Sequence, residues 1–191
     1  MPTKEEAVGK LVVTEFITLD GVIEEPRWSF EFNRGDEGEA FKGEELKAAD
    51  AQLLGRVTYQ GFAKAWPTMP DTGWFGERMN SMPKYVVSTT LTDAEADWNN
   101  STVIRDDIAG RIKRLKTELA GDILVAGSGQ LVRFLAGNDL VDEYRLMVYP
   151  IVLGTGKRLF AEGVTRTKLR LVDCKTVGPD RIVILTYEPA R

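Results

Sequence analysis

Short runs rich in β-branched and aromatic residues alternate along this chain with segments of helical periodicity. That alternation restricts the chain to folds that layer helices on a sheet. Residues 11–19 (LVVTEFITL) form the first predicted strand. A short helix is predicted to close over 46–51, with a short apolar strand at 52–54 and a helix over 57–64. Trp66-Pro67 ends that helix, and a Pro- and Gly-marked loop runs to Thr72-Gly73. Residues 84–88 (KYVVS) read as a strand. Asp107 is the expected N-cap of a helix carrying Ile108, Ile112, Leu115 and Leu119 on one face, and Gly121 stops it. A buried strand at 123–126 (ILVA) precedes a helix from Gln130 to about Ala136. Residues 144–149 form another strand, ended by Pro150. The runs 168–177 and 182–187 flank Gly178-Pro179-Asp180-Arg181 and predict an antiparallel hairpin. The pattern predicts an α/β protein of three layers, α/β/α, with a mixed sheet whose C-terminal hairpin is antiparallel.

With 191 residues and no internal repeat or linker, one domain spanning 1–191 is expected. A net charge of −4 argues against a general nucleic-acid binder, which needs a basic face. No apolar run is long enough to span a membrane, and residues 1–10 (MPTKEEAVGK) lack the apolar core of a secretion signal, so the cytoplasm is the expected compartment. The single cysteine, Cys174, excludes an intrachain disulfide; its alternating apolar surroundings predict a buried or half-buried strand position. There is no histidine, which removes Ser-His-Asp triads, Cys-His pairs and histidine-ligated metals, and no metal is expected. Acid–base chemistry is left to carboxylates, tyrosines, lysines, water or a cofactor.

Four stretches can carry chemistry. Gly127-Ser128-Gly129 lies between a strand and a helix, where glycines admit a phosphate and the helix start offers free N–H groups. A full dinucleotide fingerprint would have glycine where Val132 stands, so a plain strand-to-helix turn is an equal alternative. In Leu53-Leu54-Gly55-Arg56-Val57-Thr58-Tyr59 a glycine opens a helix with Arg56 and Thr58 in its first turn, where both can hold a phosphate or simply be solvated. Ser88-Thr89-Thr90 supply three hydroxyls just after a strand, for a phosphate, a ribose or a turn. All three stretches lie at strand ends, where ligands gather in open α/β sheets, so together they can enclose one phosphorylated dinucleotide. The fourth, Thr18-Leu19-Asp20-Gly21-Val22-Ile23, carries a strong Asp-Gly turn signal and places Asp20 where it can cover or orient a ligand. Trp28, Phe30, Phe32, Phe62 and Trp66 offer a stacking wall for a flat ring, or core packing.

Residues 20–23 (DGVI), 54–59 (LGRVTY), 122–129 (DILVAGSG) and 150–160 (PIVLGTGKRLF) together resemble the dihydrofolate-reductase-like superfamily. The nearest branch is that of the C-terminal reductase domain of the bifunctional riboflavin-biosynthesis deaminase–reductase. The resemblance runs from about Leu11 to Tyr187 and leaves the deaminase half out. It implies NADPH as hydride donor and a pteridine-like or ribosylated pyrimidine substrate. It implies that Gly55, Arg56 and Thr58 hold cofactor phosphates, Arg56 nearest the adenosine 2′-phosphate. By the same resemblance Ser88, Thr89 and Thr90 flank the adenosine half, and Gly127, Ser128, Gly129, Gln130 and Leu131 meet the pyrophosphate. Ile23 approaches the nicotinamide side, and Gly154 and Gly156 shape a loop at the mouth.

The sequence departs from the family where dihydrofolate reductases carry a pterin-binding acid, since Glu31, Asp36 and Glu39 lie only nearby, and where close relatives carry histidine this chain has Tyr149. The expected substrate contacts are Trp28, Phe32, Phe62, Trp66, Tyr149, Gly154 and Gly156, with Asp20 as the polar catalytic residue or a water in its place. A homodimer with the late hairpin near the contact is expected, because a long apolar-alternating edge is normally covered. A non-catalytic nucleotide- or pterin-binding module on the same fold is the alternative.

Overall fold

The computed structural model describes residues 8–190. Eight strands form one mixed sheet in the order β4-β3-β2-β5-β1-β6-β8-β7. The strands are β1 (Leu11–Thr18), β2 (Ala49–Gly55), β3 (Lys84–Val87), β4 (Ser101–Ile104), β5 (Asp122–Val125), β6 (Glu143–Tyr149), β7 (Leu169–Val177) and β8 (Ile182–Pro189). The helices are α1 (Gly35–Ala48), α2 (Arg56–Ala65), α3 (Gly73–Ser81), α4 (Ile108–Glu118) and α5 (Gly129–Gly137). β1 lies at the centre, parallel to β5 on one side (Val13↔Val125) and to β6 on the other (Thr18↔Tyr149). β8 then pairs antiparallel with both β6 and β7, which bears out the predicted hairpin.

Period-two alternation decides which face of β1 each residue serves. Leu11, Val13 and Ile17 join Ile112 and Leu115 of α4 and Leu131, Val132 and Leu135 of α5 in one apolar layer. Val12 faces the other way and joins Leu46 of α1, Tyr59 of α2 and Met79 of α3. Helices thus cover both faces of the sheet, the three-layer arrangement the sequence predicts. On the α1 side a buried polar network ties helix to sheet. Lys42 Nζ donates to Thr14 Oγ1 (2.8 Å), Thr14 Oγ1 to Glu45 Oε2 (3.1 Å), and Lys42 pairs with Glu45. Arg145 joins Glu143 (2.6 Å) and Asp122 (3.0 Å), linking β6 to β5.

Several local expectations are corrected. The helix predicted to close over 46–51 ends at Ala48, and Ala49–Ala51 already belong to β2, paired with Asp122 and Ile123. Alanine favours a helix, but both alanines of that segment are wholly buried between strands, and tertiary pairing overrides propensity. α3 and β4 are absent from the predicted elements. Asp107 stands at the N-cap of α4 but in the left-handed region (φ 38°), and its side chain makes no cap. Its carboxylate receives Arg114 instead (3.2 Å). Cys174 is exposed, not buried, because β7 is the edge strand and nothing covers it among the described residues. No helix among those residues is long and apolar enough to cross a membrane.

Candidate dinucleotide site at the strand ends

Adjacent parallel strands bring the ends of β1, β2, β3 and β5 to one side of the sheet. Two of the predicted stretches meet there directly. Gly55 donates its N–H to the carbonyl of Gly127 (3.1 Å), joining the start of α2 to the turn before α5. A Cβ on Gly55 would stand 2.7 Å from Ser128 Oγ and 3.1 Å from Ser128 N, so only glycine lets these turns approach so closely. Gly127 has φ +96°, a region costly for any other residue. A Cβ there would meet Thr58 Oγ1 at 3.0 Å and Glu15 Oε1 at 3.6 Å.

The donors around this junction are uncommitted. The side chains of Arg56, Thr58, Thr89, Ser128, Gln130 and Arg133 make no hydrogen bond or salt bridge among the described residues, although Arg56 lies close enough to help hold the Glu95 carboxyl down. The starts of α2 and α5 carry no side-chain cap, which leaves their first-turn N–H groups open as at uncapped helix ends. Gly129 and Ile23 are in contact, since a Cβ at Gly129 would lie 3.2 Å from Ile23 Cδ1. Leu131 is buried, so its backbone and not its side chain is available. Ser88 is spent on its turn: its Oγ accepts from the N–H groups of Thr90 (3.2 Å) and Leu91 (2.9 Å).

Asp20 is also spent. Its Oδ1 accepts from Thr18 Oγ1 (2.6 Å) and Leu153 N (3.2 Å), and its Oδ2 from Gly154 N (2.8 Å). Arg158 adds an ion pair at 3.6 Å. These donors, Thr18 first, hold the Asp20 carboxyl at about 2. A carboxyl so stabilised as the anion is a poor proton donor at neutral pH, which favours the expected alternative of a water in that role. Its geometry is that of a clamp between the loop after β1 and the loop after β6. Gly154 (φ +77°) and Gly156 (φ +117°) shape the second loop, and Gly156 leaves room for Val22, whose Cγ1 a Cβ would meet at 2.6 Å.

The expected aromatic wall divides in two. Trp28 and Phe32 pack edge-on against Tyr149 at 5.3 and 5.5 Å, with Phe16 completing the cluster. Tyr149 is fully buried and Trp28 nearly so, so both are core residues under α1 and cannot stack on a ligand as packed. Phe62 and Trp66 belong to a second group with Phe75 of α3. Phe30 is exposed and joins neither. Glu31, Asp36 and Glu39 are exposed, and Glu39 is bound to Arg34 (2.7 Å); the buried acid of α1 is Glu45. An open cleft of about 420 Å³ lined by Ala63, Pro67, Asn80, Asp97, Trp98 and Asn99 lies before the first residues of β3 and β4, away from the strand ends described above. Of its polar residues, Asn80 is already bonded to Trp98 Nε1 and to two carbonyls.

Sequence reasoning missed Glu15. It shares a face of β1 with Val13 and Ile17, is 9% exposed, and its Oε1 has no hydrogen-bond partner. Burial pushes its carboxyl up to about 8, against the field of Lys42. An orphaned buried acceptor costs about 1–3 kcal/mol. The signal was present in the sequence, as a carboxylate in phase with the apolar residues of a strand.

Comparison with known proteins bears on the family and the fold. Residues 9–183 match the family model described as the RibD C-terminal domain. The uncharacterized protein YyaP of Bacillus subtilis strain 168 is 30% identical over 183 residues, covering 93% of this chain and 94% of its own. The crystal structure of a Shewanella sp. PV-4 protein provisionally assigned to riboflavin biosynthesis superposes with a TM-score of 0.77 at 21% identity, over 95% of this chain and 99% of that one. Dihydrofolate reductase from Enterococcus faecalis, solved with NADP(H), superposes with a TM-score of 0.62 at 15% identity, over 96% and 98% of the two chains. The fold is therefore dihydrofolate-reductase-like, and the chain belongs to the RibD C-terminal domain family.

Proposed function

We propose that this protein is an NADPH-dependent reductase of a flat heterocycle, pteridine-like or a ribosylated pyrimidine. The observation that carries the reading is the junction of Gly55 with Gly127, ringed by uncommitted donors on two helix starts. Close backbone approach, free N–H groups and unpaired cationic and hydroxyl side chains fit a pyrophosphate and a further phosphate. The family match and the NADP(H) bound by the Enterococcus faecalis neighbour support the choice of cofactor.

In this reading NADPH supplies the hydride, and the protein supplies binding and orientation. Arg56 pairs with the adenosine 2′-phosphate, and Thr58 with a bridging phosphate. Ser88, by holding its turn, presents Thr89 and Thr90 to the adenosine half. The Gly127–Leu131 backbone, with the side chains of Ser128 and Gln130, takes the pyrophosphate. Ile23, seated against Gly129, borders the nicotinamide side. Asp20 keeps the Gly154–Gly156 loop at the mouth, and water delivers the proton.

Full burial of Tyr149 favours a second reading, a module that binds a dinucleotide without turnover. NADPH oxidation measured against a panel of pterins and ribosylated pyrimidines decides between them. Turnover supports the reductase, tight binding without turnover supports the module, and absence of binding rejects both. We also propose a homodimer in the cytoplasm, with β7 at the contact.

A further inference from the structure

Glu15 stands beneath the Gly127 turn with a carboxyl oxygen that nothing in the described residues satisfies. Its Oε1 and the Thr58 hydroxyl approach the same point, 3.6 and 3.0 Å from the place a Gly127 Cβ would occupy. Thr58 is uncommitted as well. Two polar groups, one from the sheet and one from α2, thus converge on a turn whose other residues open α5. An ionised carboxylate here would repel any phosphate held by that turn, whereas a neutral carboxylic acid carries a hydrogen to give.

Resting on the dinucleotide reading above, we propose that Glu15 is a positioning residue of the site, whose carboxyl acts as a hydrogen-bond donor to an anionic group of the cofactor held at the Gly127–Gly129 turn. The surroundings suit a neutral acid. Val13 and Ile17 flank it on β1, Leu146 of β6 stands opposite in register, and Thr58 and Gly127 are uncharged. Lys42 of α1 is the charged group whose field reaches it, and burial outweighs that field, lifting the carboxyl to about 8. In this proposal Glu15 carries its proton at neutral pH. Binding an anion beside it favours that proton further, so binding and protonation are linked.

The experiment is a titration of the whole protein with NADPH from pH 6.5 to 9.5, followed by tryptophan fluorescence, for the wild type, Glu15→Gln and Glu15→Met. Proton uptake is read by calorimetry in buffers of different ionisation enthalpy. The 2′-phosphate of the cofactor ionises near pH 6, roughly below this window. Wild-type affinity is expected to fall about tenfold between pH 7 and 9.5, with proton uptake on binding around pH 8. Glu15→Gln keeps a donor and is expected to bind as the wild type does at pH 7, but without pH dependence or proton uptake. Glu15→Met is expected to bind about tenfold more weakly at every pH while melting no lower than the wild type, a pairing that a merely structural role would not give. Normal binding with a flat pH profile and no proton uptake in the wild type overturns the role of Glu15 and leaves the dinucleotide reading standing. Absence of NADPH binding at any pH overturns both. If Glu15→Met does not fold, the Glu15→Gln profile decides, and a pH dependence like that of the wild type overturns the proposal.

Discussion

Gly154 gives its backbone N–H to Oδ2 of Asp20 at 2.8 Å, across 134 positions of chain. With Arg158 Nε donating to the Asp20 carbonyl (2.9 Å) and Leu159 N to the Gly21 carbonyl (3.0 Å), this makes one unit of two loops distant in sequence. Asp20→Ala is expected to release Leu153 and Gly154, seen as faster backbone amide exchange at those two residues. Cofactor affinity should drop severalfold, without a shift in the pH profile of any turnover. The anion is stabilised here, so its contribution is present above the ordinary carboxylate range and is lost as pH falls through about 2. The clamp should therefore hold at pH 4, and loss of amide protection there in the wild type would contradict it.

Gly55→Ala is a cleaner probe of the phosphate junction than any change at Gly127. Gly55 has φ −75°, which alanine adopts without strain, so the only insult is the new methyl against Ser128. The variant should fold with a native circular dichroism spectrum and bind NADPH at least tenfold more weakly. Gly127→Val adds backbone strain at φ +96°, of order 1–3 kcal/mol, and confounds stability with binding.

Arg56→Ala tests the choice between cofactors. Arg56 is exposed at the first position of α2 and makes no hydrogen bond or salt bridge among the described residues. Losing a charge-assisted contact to the 2′-phosphate costs about 1.5–3 kcal/mol, roughly ten- to a hundredfold in NADPH affinity. NADH affinity should hardly move. Equal losses for both cofactors, measured by fluorescence titration, would remove Arg56 from the 2′-phosphate.

The raised Glu15 carboxyl also predicts a stability difference. Between the ordinary value of 4.5 and about 8 the folded state keeps a proton that the unfolded state has released. Stability contributed by that proton is complete below pH 4.5 and is lost as pH rises through 8, by up to about 1.4 kcal/mol per pH unit. Urea unfolding of wild type and Glu15→Gln at pH 5, 6.5, 8 and 9.5 should show the gap between them moving steadily in favour of the variant up to pH 8, then levelling off. A constant gap would mean that Glu15 is ionised in the folded protein.

β7 is an edge strand of nine residues on which Leu171 (49%) and Val172 (48%) stay exposed. Such an edge invites pairing, and a two-fold dimer covers it. Light scattering at micromolar concentration should give twice the 21.3 kDa chain mass. Leu171→Lys combined with Val172→Glu should shift the protein toward the monomer. A wild-type monomer would exclude the dimer.

Most of the strands and the turns that end them were legible because glycines and hydroxyls mark strand ends whatever the tertiary fold. Gly55, Ser88 and Gly127 fall where the sequence puts them. α3 was not legible, since its nine residues (GWFGERMNS) hold two glycines and follow a proline-rich loop. β4 is four residues at the sheet edge, too short for a periodicity to declare itself. The aromatic residues misled because composition does not say which way a ring points, and Tyr149, Trp28 and Phe32 turn inward together. Asp20 announced a turn, but its partners on the other loop lie beyond any local pattern. Glu15 stood in plain phase with its strand, and only burial gave it meaning.

β1 is among the first elements of the chain and the middle of the sheet. Its partners, Ile123 and Glu143 among them, come more than a hundred residues later. During synthesis the strand must wait, unpaired on one edge until Val125 has been made and on the other until Tyr149. Long-range pairing of this kind slows folding and lengthens exposure of apolar strand edges. The junction of Gly55 with Gly127 inherits the delay, because its second half follows β5. Chains halted before residue 120 should thus be open to protease within 8–55, and chains carried through Tyr149 protected there, so the Gly55–Gly127 junction closes only after β5 has been made.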